Sequence, residues 1–254
     1  GEVDLSDASF NEDLGTLALS DNGINTGSIR SGDIELSELV SLSEVANTYI
    51  SAGGNDLTIQ GTGGKSSEEI NTGDFTNPET LTIANVGTLE FDFNSNDGDT
   101  SAPTLTLSDD SKLANITNLV VDNGTLDVSN LDNASDFSGI GNVTVNSGLS
   151  LTGRQLASVD GNITGSGNVE VQVKSQEDAN ALDDASLGKI KAGVGTISNK
   201  SGDTNLQTDI NNAVTNTSGQ NNLQAEDVDG NATVATNVDR TGTTLTVKGP
   251  ADVS

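Results

Sequence analysis

The sequence predicts a mainly β fold: a parallel β-solenoid or a leucine-rich-repeat-like solenoid, with short helices near its ends. Three observations lead there. Apolar–polar–apolar triplets recur at a near-constant interval, which is the mark of a repeat architecture. Asn and Gly punctuate them where the chain must turn. Pro is rare, at 3 of 254 residues, and the apolar residues are set in register, so a chain rich in Gly, Asn, Ser and Thr reads as folded rather than disordered.

Leu57-Thr58-Ile59, Leu81-Thr82-Ile83 and Leu105-Thr106-Leu107 start 24 residues apart. A second series, Leu119-Val120-Val121, Val143-Thr144-Val145 and Val169-Glu170-Val171, advances by 24 and then 26 residues. The two series are offset by 14, so one coil is truncated or a second face takes over near Leu113. Two units repeat more than the triplet. Leu113-x-x-Ile116-x-x-Leu119-x-Val121 is followed by Gly124 and Leu126, and Phe137-x-x-Ile140-x-x-Val143-x-Val145 by Gly148 and Leu149. Alternation gives a strand with one inward face. The residues three apart before it give a bend or a single helical turn that also points inward. Stacked units then bury a core that no single unit could form. A second strand follows in several units: Leu89 to Phe93, Leu126-Asp127-Val128 and Leu149-Ser150-Leu151. An ordinary β-sandwich is the alternative.

Three regions result: a cap region over residues 1–50, the repeat over 51–174, and an α+β region over 175–254. In the first, 36–45 reads as a short amphipathic helix covering an exposed sheet edge. In the third, Ser175 is an N-cap for a helix bearing Ala179, Leu182, Ala185 and Leu187, stopped by Gly188. A second helix is expected over Leu206 to Val214, a loop over 215–231, and strands over 232–238 and 243–247.

The formal charge is −28, from 38 acidic and 10 basic residues. That field repels nucleic-acid phosphates and anionic lipid, and it favours cations and a hydrated surface. No apolar run is long enough to make a membrane-spanning helix, so no membrane insertion is expected. Starting at Gly1-Glu2-Val3, the chain reads as a processed or excised segment.

His and Cys are absent, which removes the usual neutral-pH base, thiolate nucleophiles and the common zinc ligands. A carboxylate pair could still cleave a polysaccharide, but six aromatic residues offer little platform for sugar rings. The chain therefore reads as non-enzymatic. Asp92-x-Asn94-x-Asn96-Asp97-Gly98-Asp99 packs oxygen ligands into a Gly-containing loop, which is hard-cation chemistry suited to calcium. It is similar to the start of an EF-hand loop, yet one residue is inserted before Gly98 and no closing acid follows. Solvated turn residues are the plainer reading of Asp92, Asn94, Asn96, Asp97 and Asp99, and the balance lies with it. Gly61 to Ser67 lacks the spacing of a phosphate-binding loop and reads as a turn.

Composition and segments such as Leu149-Ser150-Leu151-Thr152-Gly153-Arg154-Gln155-Leu156, Ile163 to Val169 and Gln176 to Asp183 resemble those of bacterial S-layer proteins and giant repeat cell-surface adhesins. The resemblance spans about Leu57–Val214 and transfers no functional residue. It implies a secreted or cell-surface location and either of two roles. One is self-assembly into a surface layer, filament or matrix, partnered by copies of itself or other cell-surface components. The other is an adhesin stalk that displays loops to a glycan or protein.

Overall fold

The structure is a computed structural model that describes residues 24–26, 32–35, 48–51, 54, 56–60, 81–93, 104–107, 109, 111–131, 134–217 and 222–234. Two sheets organise these residues. The first contains β1 (Ile24–Thr26), β2 (Gly32–Glu35), β3 (Thr48–Ser51), β4 (Leu57–Gln60), β5 (Leu81–Asp92), β7 (Lys112–Asp122), β9 (Phe137–Val145) and β11 (Ile163–Thr164). The second runs β15 (Ala232–Val234), β14 (Leu223–Glu226), β13 (Val194–Asn199), β12 (Asn168–Val173), β10 (Gly148–Thr152), β8 (Thr125–Asp127) and β6 (Thr104–Thr106). The four α-helices among the described residues are α1 (Gly153–Ser158), α2 (Gln176–Asn180), α3 (Asp184–Leu187) and α4 (Asn205–Asn216).

Every described pairing is parallel except β14 with β15. β5 is long enough to hold two neighbours end to end: Leu81–Ala84 pair with β3, and Leu89–Asp92 pair with β4. Between the two halves sits Asn85, at φ 56°. Its counterparts in β7 and β9 are Asn115 at φ 55° and Gly139 at φ 63°. These left-handed residues form one column across three strands, bending each strand at the same height. Asn and Gly are the residues that tolerate this conformation. A Cβ on Gly139 would sit 2.8 Å from Asn115 Oδ1.

The inward rows form one apolar core between the sheets. Val86, Ile116 and Ile140 stack in register, as do Leu89, Leu119 and Val143, all essentially buried. Phe91 and Phe93 stack with centroids 6.1 Å apart. Each such side chain contributes about 1.5–3 kcal/mol through burial. Leu156, Leu187, Ile210 and Val214 bring the helices onto the same core.

The expected solenoid with helices near its ends is not what the structure contains. It has two mostly parallel sheets with helices set among the strands, an α/β arrangement closed by an antiparallel strand. α1 follows β10 directly in mid-chain. Beyond β12 the chain returns to the first sheet only as an isolated parallel bridge from Ile190 to Ile163 of β11; β12, β13 and β14 lie side by side, joined through α2 and α3 and then through α4. Parallel neighbours require such crossovers because a tight turn cannot join them. The triplet series also mixed two sheets. Leu57 pairs with Leu89 rather than Leu81, and Leu105 pairs with Leu126 in the second sheet. Val169 pairs with Leu149, not with Val143.

The unit starting at Leu113 does align with the one at Phe137, residue for residue, and Leu126 aligns with Leu149. The bend within each is a single left-handed residue, not a helical turn. Ser175 caps α2 by accepting from Asp178 N, but the expected helix breaks at 181–183 and restarts as α3 with Asp183 as its cap. α4 spans the second expected helix and extends it at both ends. The loop expected over 215–231 contains β14. The expected helix over 36–45, the Gly61–Ser67 turn and the strand over 243–247 lie outside the described residues.

Candidate functional site

Of the five residues expected to hold calcium, Asp92 is described; Asn94, Asn96, Asp97 and Asp99 lie outside the described residues. Asp92 ends β5 and faces outward. Its register partner in β7 is Asp122, and Glu90 stands two residues before it on the same face. Parallel strands lie about 4.8 Å apart, so these carboxylates are close neighbours. Side-chain amides are threaded between them. Asn123 Nδ2 donates to Asp92 Oδ1 at 2.7 Å, and Asn146 Nδ2 donates to Asp122 Oδ1 at 2.7 Å. Partial burial, then the charge of Asp122 and a hydrogen bond with it, raise the Glu90 carboxyl above its ordinary range; Asp92 adds to this. Among the described residues, no group of three or more acidic side chains converges tightly enough to hold a metal ion on its own. The row is an outward-facing ladder of negative charge, not a closed cage.

The outer face of the second sheet carries a different polar row. Ser150, Glu170 and Thr196 stand in register on β10, β12 and β13. Ser150 Oγ donates to Glu170 Oε2 at 3.2 Å, and Lys200 Nζ lies 3.2 Å from Glu170 Oε1. Burial opposes ionisation of Glu170. The nearby Ser198 hydroxyl, the Lys200 ammonium and Ser150 outweigh it and hold the carboxyl below its ordinary range. The Ser198 hydroxyl is buried and makes no hydrogen bond of ordinary geometry.

Beyond these rows the chain is fastened by two internal polar knots. Asp178 is fully buried and accepts from Arg154 Nε at 3.0 Å, from Lys174 N at 3.2 Å and from Ser175 Oγ at 3.1 Å. Lys189 Nζ donates to the carbonyls of Ala157 at 2.8 Å and Val159 at 2.5 Å, closing the C-terminal end of α1. A groove of about 370 Å³ lies between α2, α3 and α4, with Asp184, Asp209, Asn212 and Asn216 on its walls. Gln176 Nε2 bridges Asn180 Oδ1 and Asp209 Oδ2 at its edge.

Comparison with known proteins finds no matching family model, curated protein or solved structure. Among the described residues, no helix is long and apolar enough to cross a membrane. Sequence reasoning reached Asp92 but missed Glu90 and Asp122. Asp122 stands 32 positions from Glu90 and 30 from Asp92, a spacing that no motif marks.

Proposed function

We propose that this chain is a secreted, cell-surface structural protein whose copies associate into a layer, filament or matrix, with calcium or another divalent cation bridging their acidic faces. The observation that carries this reading is the Glu90–Asp92–Asp122 group on the outward face of a parallel sheet, with Asp92 and Asp122 in register and Glu90 two residues before Asp92, in a chain of net charge −28. Like charges so placed repel one another and also repel a second copy. A divalent ion removes that repulsion by taking oxygen ligands from both copies. A flat row supplies part of a calcium coordination shell, and a second copy or the cell-surface partner supplies the rest. The same reading makes the protein non-enzymatic, in keeping with its lack of His and Cys.

Light scattering and negative-stain microscopy with and without calcium test it. Calcium-dependent particles that dissolve in chelator, and that weaken in Asp92→Asn/Asp122→Asn, are expected. A monomer at every calcium concentration rejects the reading.

A further inference from the structure

Among the described residues, Asn123 is the one Asn that Gly follows. It is exposed, its backbone is left-handed at φ 58°, and its Nδ2 donates to Asp92 Oδ1 at 2.7 Å. Asn146 is also exposed and makes the matching contact with Asp122, again at 2.7 Å, but Ser147 follows it. The two rungs share a contact and differ in what comes after the amide. Gly124 has no side chain to obstruct the approach of its nitrogen to the preceding carboxamide. Its carbonyl accepts from Gly148 N at 2.9 Å, while its own N–H meets no acceptor among the described residues. Gly124 is buried, so that N–H is an orphan, and water reaches the pair from the Asn123 side.

We propose that Asn123 is a site of spontaneous deamidation, with Gly124 N as the nucleophile and water as the co-reactant. Asn is among the chemically labile residues. Gly124 N gives its proton to water and bonds Asn123 Cγ. The Cγ–Nδ2 bond breaks, and Nδ2 takes a proton from water and leaves as ammonia. Water then opens the resulting cyclic imide. Opening at Cγ gives Asp, and opening at the main-chain carbonyl carbon gives isoaspartate. Water enters as ammonia leaves, and nothing is oxidised or reduced. The reaction turns the amide that neutralises Asp92 into a carboxylate, beside a group that already holds Glu90, Asp92 and Asp122. Like charges so placed repel. The rung at Asn146 is spared, so an ageing chain gains negative charge at one end of the acidic row. The modification stands by itself; its effect on cation bridging rests on the assembly reading, and a mass readout separates the two.

Peptide mapping by mass spectrometry of the full folded chain, fresh and after weeks at mildly alkaline pH, is the test. The expected result is an amide-to-acid mass change at Asn123, isoaspartate at that position by enzymatic methylation, and an unchanged Asn146. Gly124→Ala should slow the change. An Asn123 that stays an amide in the folded chain overturns the proposal, even where the urea-unfolded chain converts. So does equal conversion at Asn123 and Asn146, which removes Gly124 from the reaction. Asp without isoaspartate overturns it too, because the imide is then not formed. The native chain decides by itself, so a Gly124→Ala variant that fails to fold does not blunt the test.

Discussion

Asn123 lays its side-chain amide on Asp92, 2.7 Å from Oδ1, across the boundary between β5 and β7. Asn146 does the same to Asp122 one strand further on. Each donor neutralises part of a carboxylate that its register partner would otherwise repel. Asn123 reaches this position from a left-handed backbone, at φ 58°. Asn123→Ala therefore removes a charge-assisted hydrogen bond and strains the backbone as well. A loss of about 1–3 kcal/mol in urea unfolding is expected, with Asn123→Gly losing less because it keeps the backbone relaxed.

The left-handed column gives a sharper backbone test. Asn115→Val places a β-branched residue at φ 55° and is expected to destabilise by about 1–3 kcal/mol. Asn115→Gly is expected to stay near the parent, since its amide contact with Asn85 is long, at 3.4 Å. Equal midpoints for both variants would contradict the strain argument.

Glu90 makes stability depend on pH in a defined direction. Its carboxyl is raised in the folded state, first by burial and then by Asp122 and Asp92, so the folded chain holds that proton more tightly than the unfolded chain does. The contribution is fully present below the ordinary carboxylate range and is lost as pH rises through the raised value. Glu90→Gln should unfold at higher temperature than the parent at neutral pH, and the difference should vanish or reverse in acid. Melting curves across that range read this directly. Glu170 runs the other way: its stabilisation is present above the ordinary carboxylate range and fades as pH falls through its lowered value.

Asp178 is the polar group whose removal should cost most. It has no exposed surface, and Arg154, Lys174 and Ser175 all donate to it. Asp178→Ala leaves those donors unpaired next to the core, a loss of about 3–5 kcal/mol. Arg154→Met should lose less, because its side chain is 41% exposed and Asp178 keeps its other donors. Paired chemical denaturations measure both.

In the core, Ile140→Ala opens a cavity in the Val86–Ile116–Ile140 stack and should cost about 2–5 kcal/mol. Thr144→Ala, on the outward face of the same strand, should change the unfolding midpoint little.

The part of the fold legible in the sequence is the part with two signals at once. Leu113 to Leu126 and Phe137 to Leu149 repeat apolar spacing and turn residues together, and they align in space. The isolated triplets carried alternation alone. Alternation says that a strand has a buried side but not which sheet it joins, so each series grouped triplets that are not all register partners, as at Leu57, Leu105 and Val169. The solenoid reading failed for a related reason. The crossovers through α2, α3 and α4 follow from which strands lie adjacent, and adjacency is a property of contacts far apart in the chain. The candidate site shows the same limit: Glu90 and Asp122 are 32 residues apart in the chain, and neither belongs to a recognisable motif.

The Asn–Asp contact appears twice with the same length, yet its partners are 31 residues apart in one instance and 24 in the other. Spatial period and sequence period are thus uncoupled. Length variation is absorbed between strands, while the spacing from bend to strand end stays fixed. A peptide inserted between β5 and β6 should leave the rungs aligned, whereas one residue added between Asn115 and Asn123 should misalign every rung beyond it. Such a chain can drift in length over generations, or accept engineered cargo, without losing its lattice of contacts.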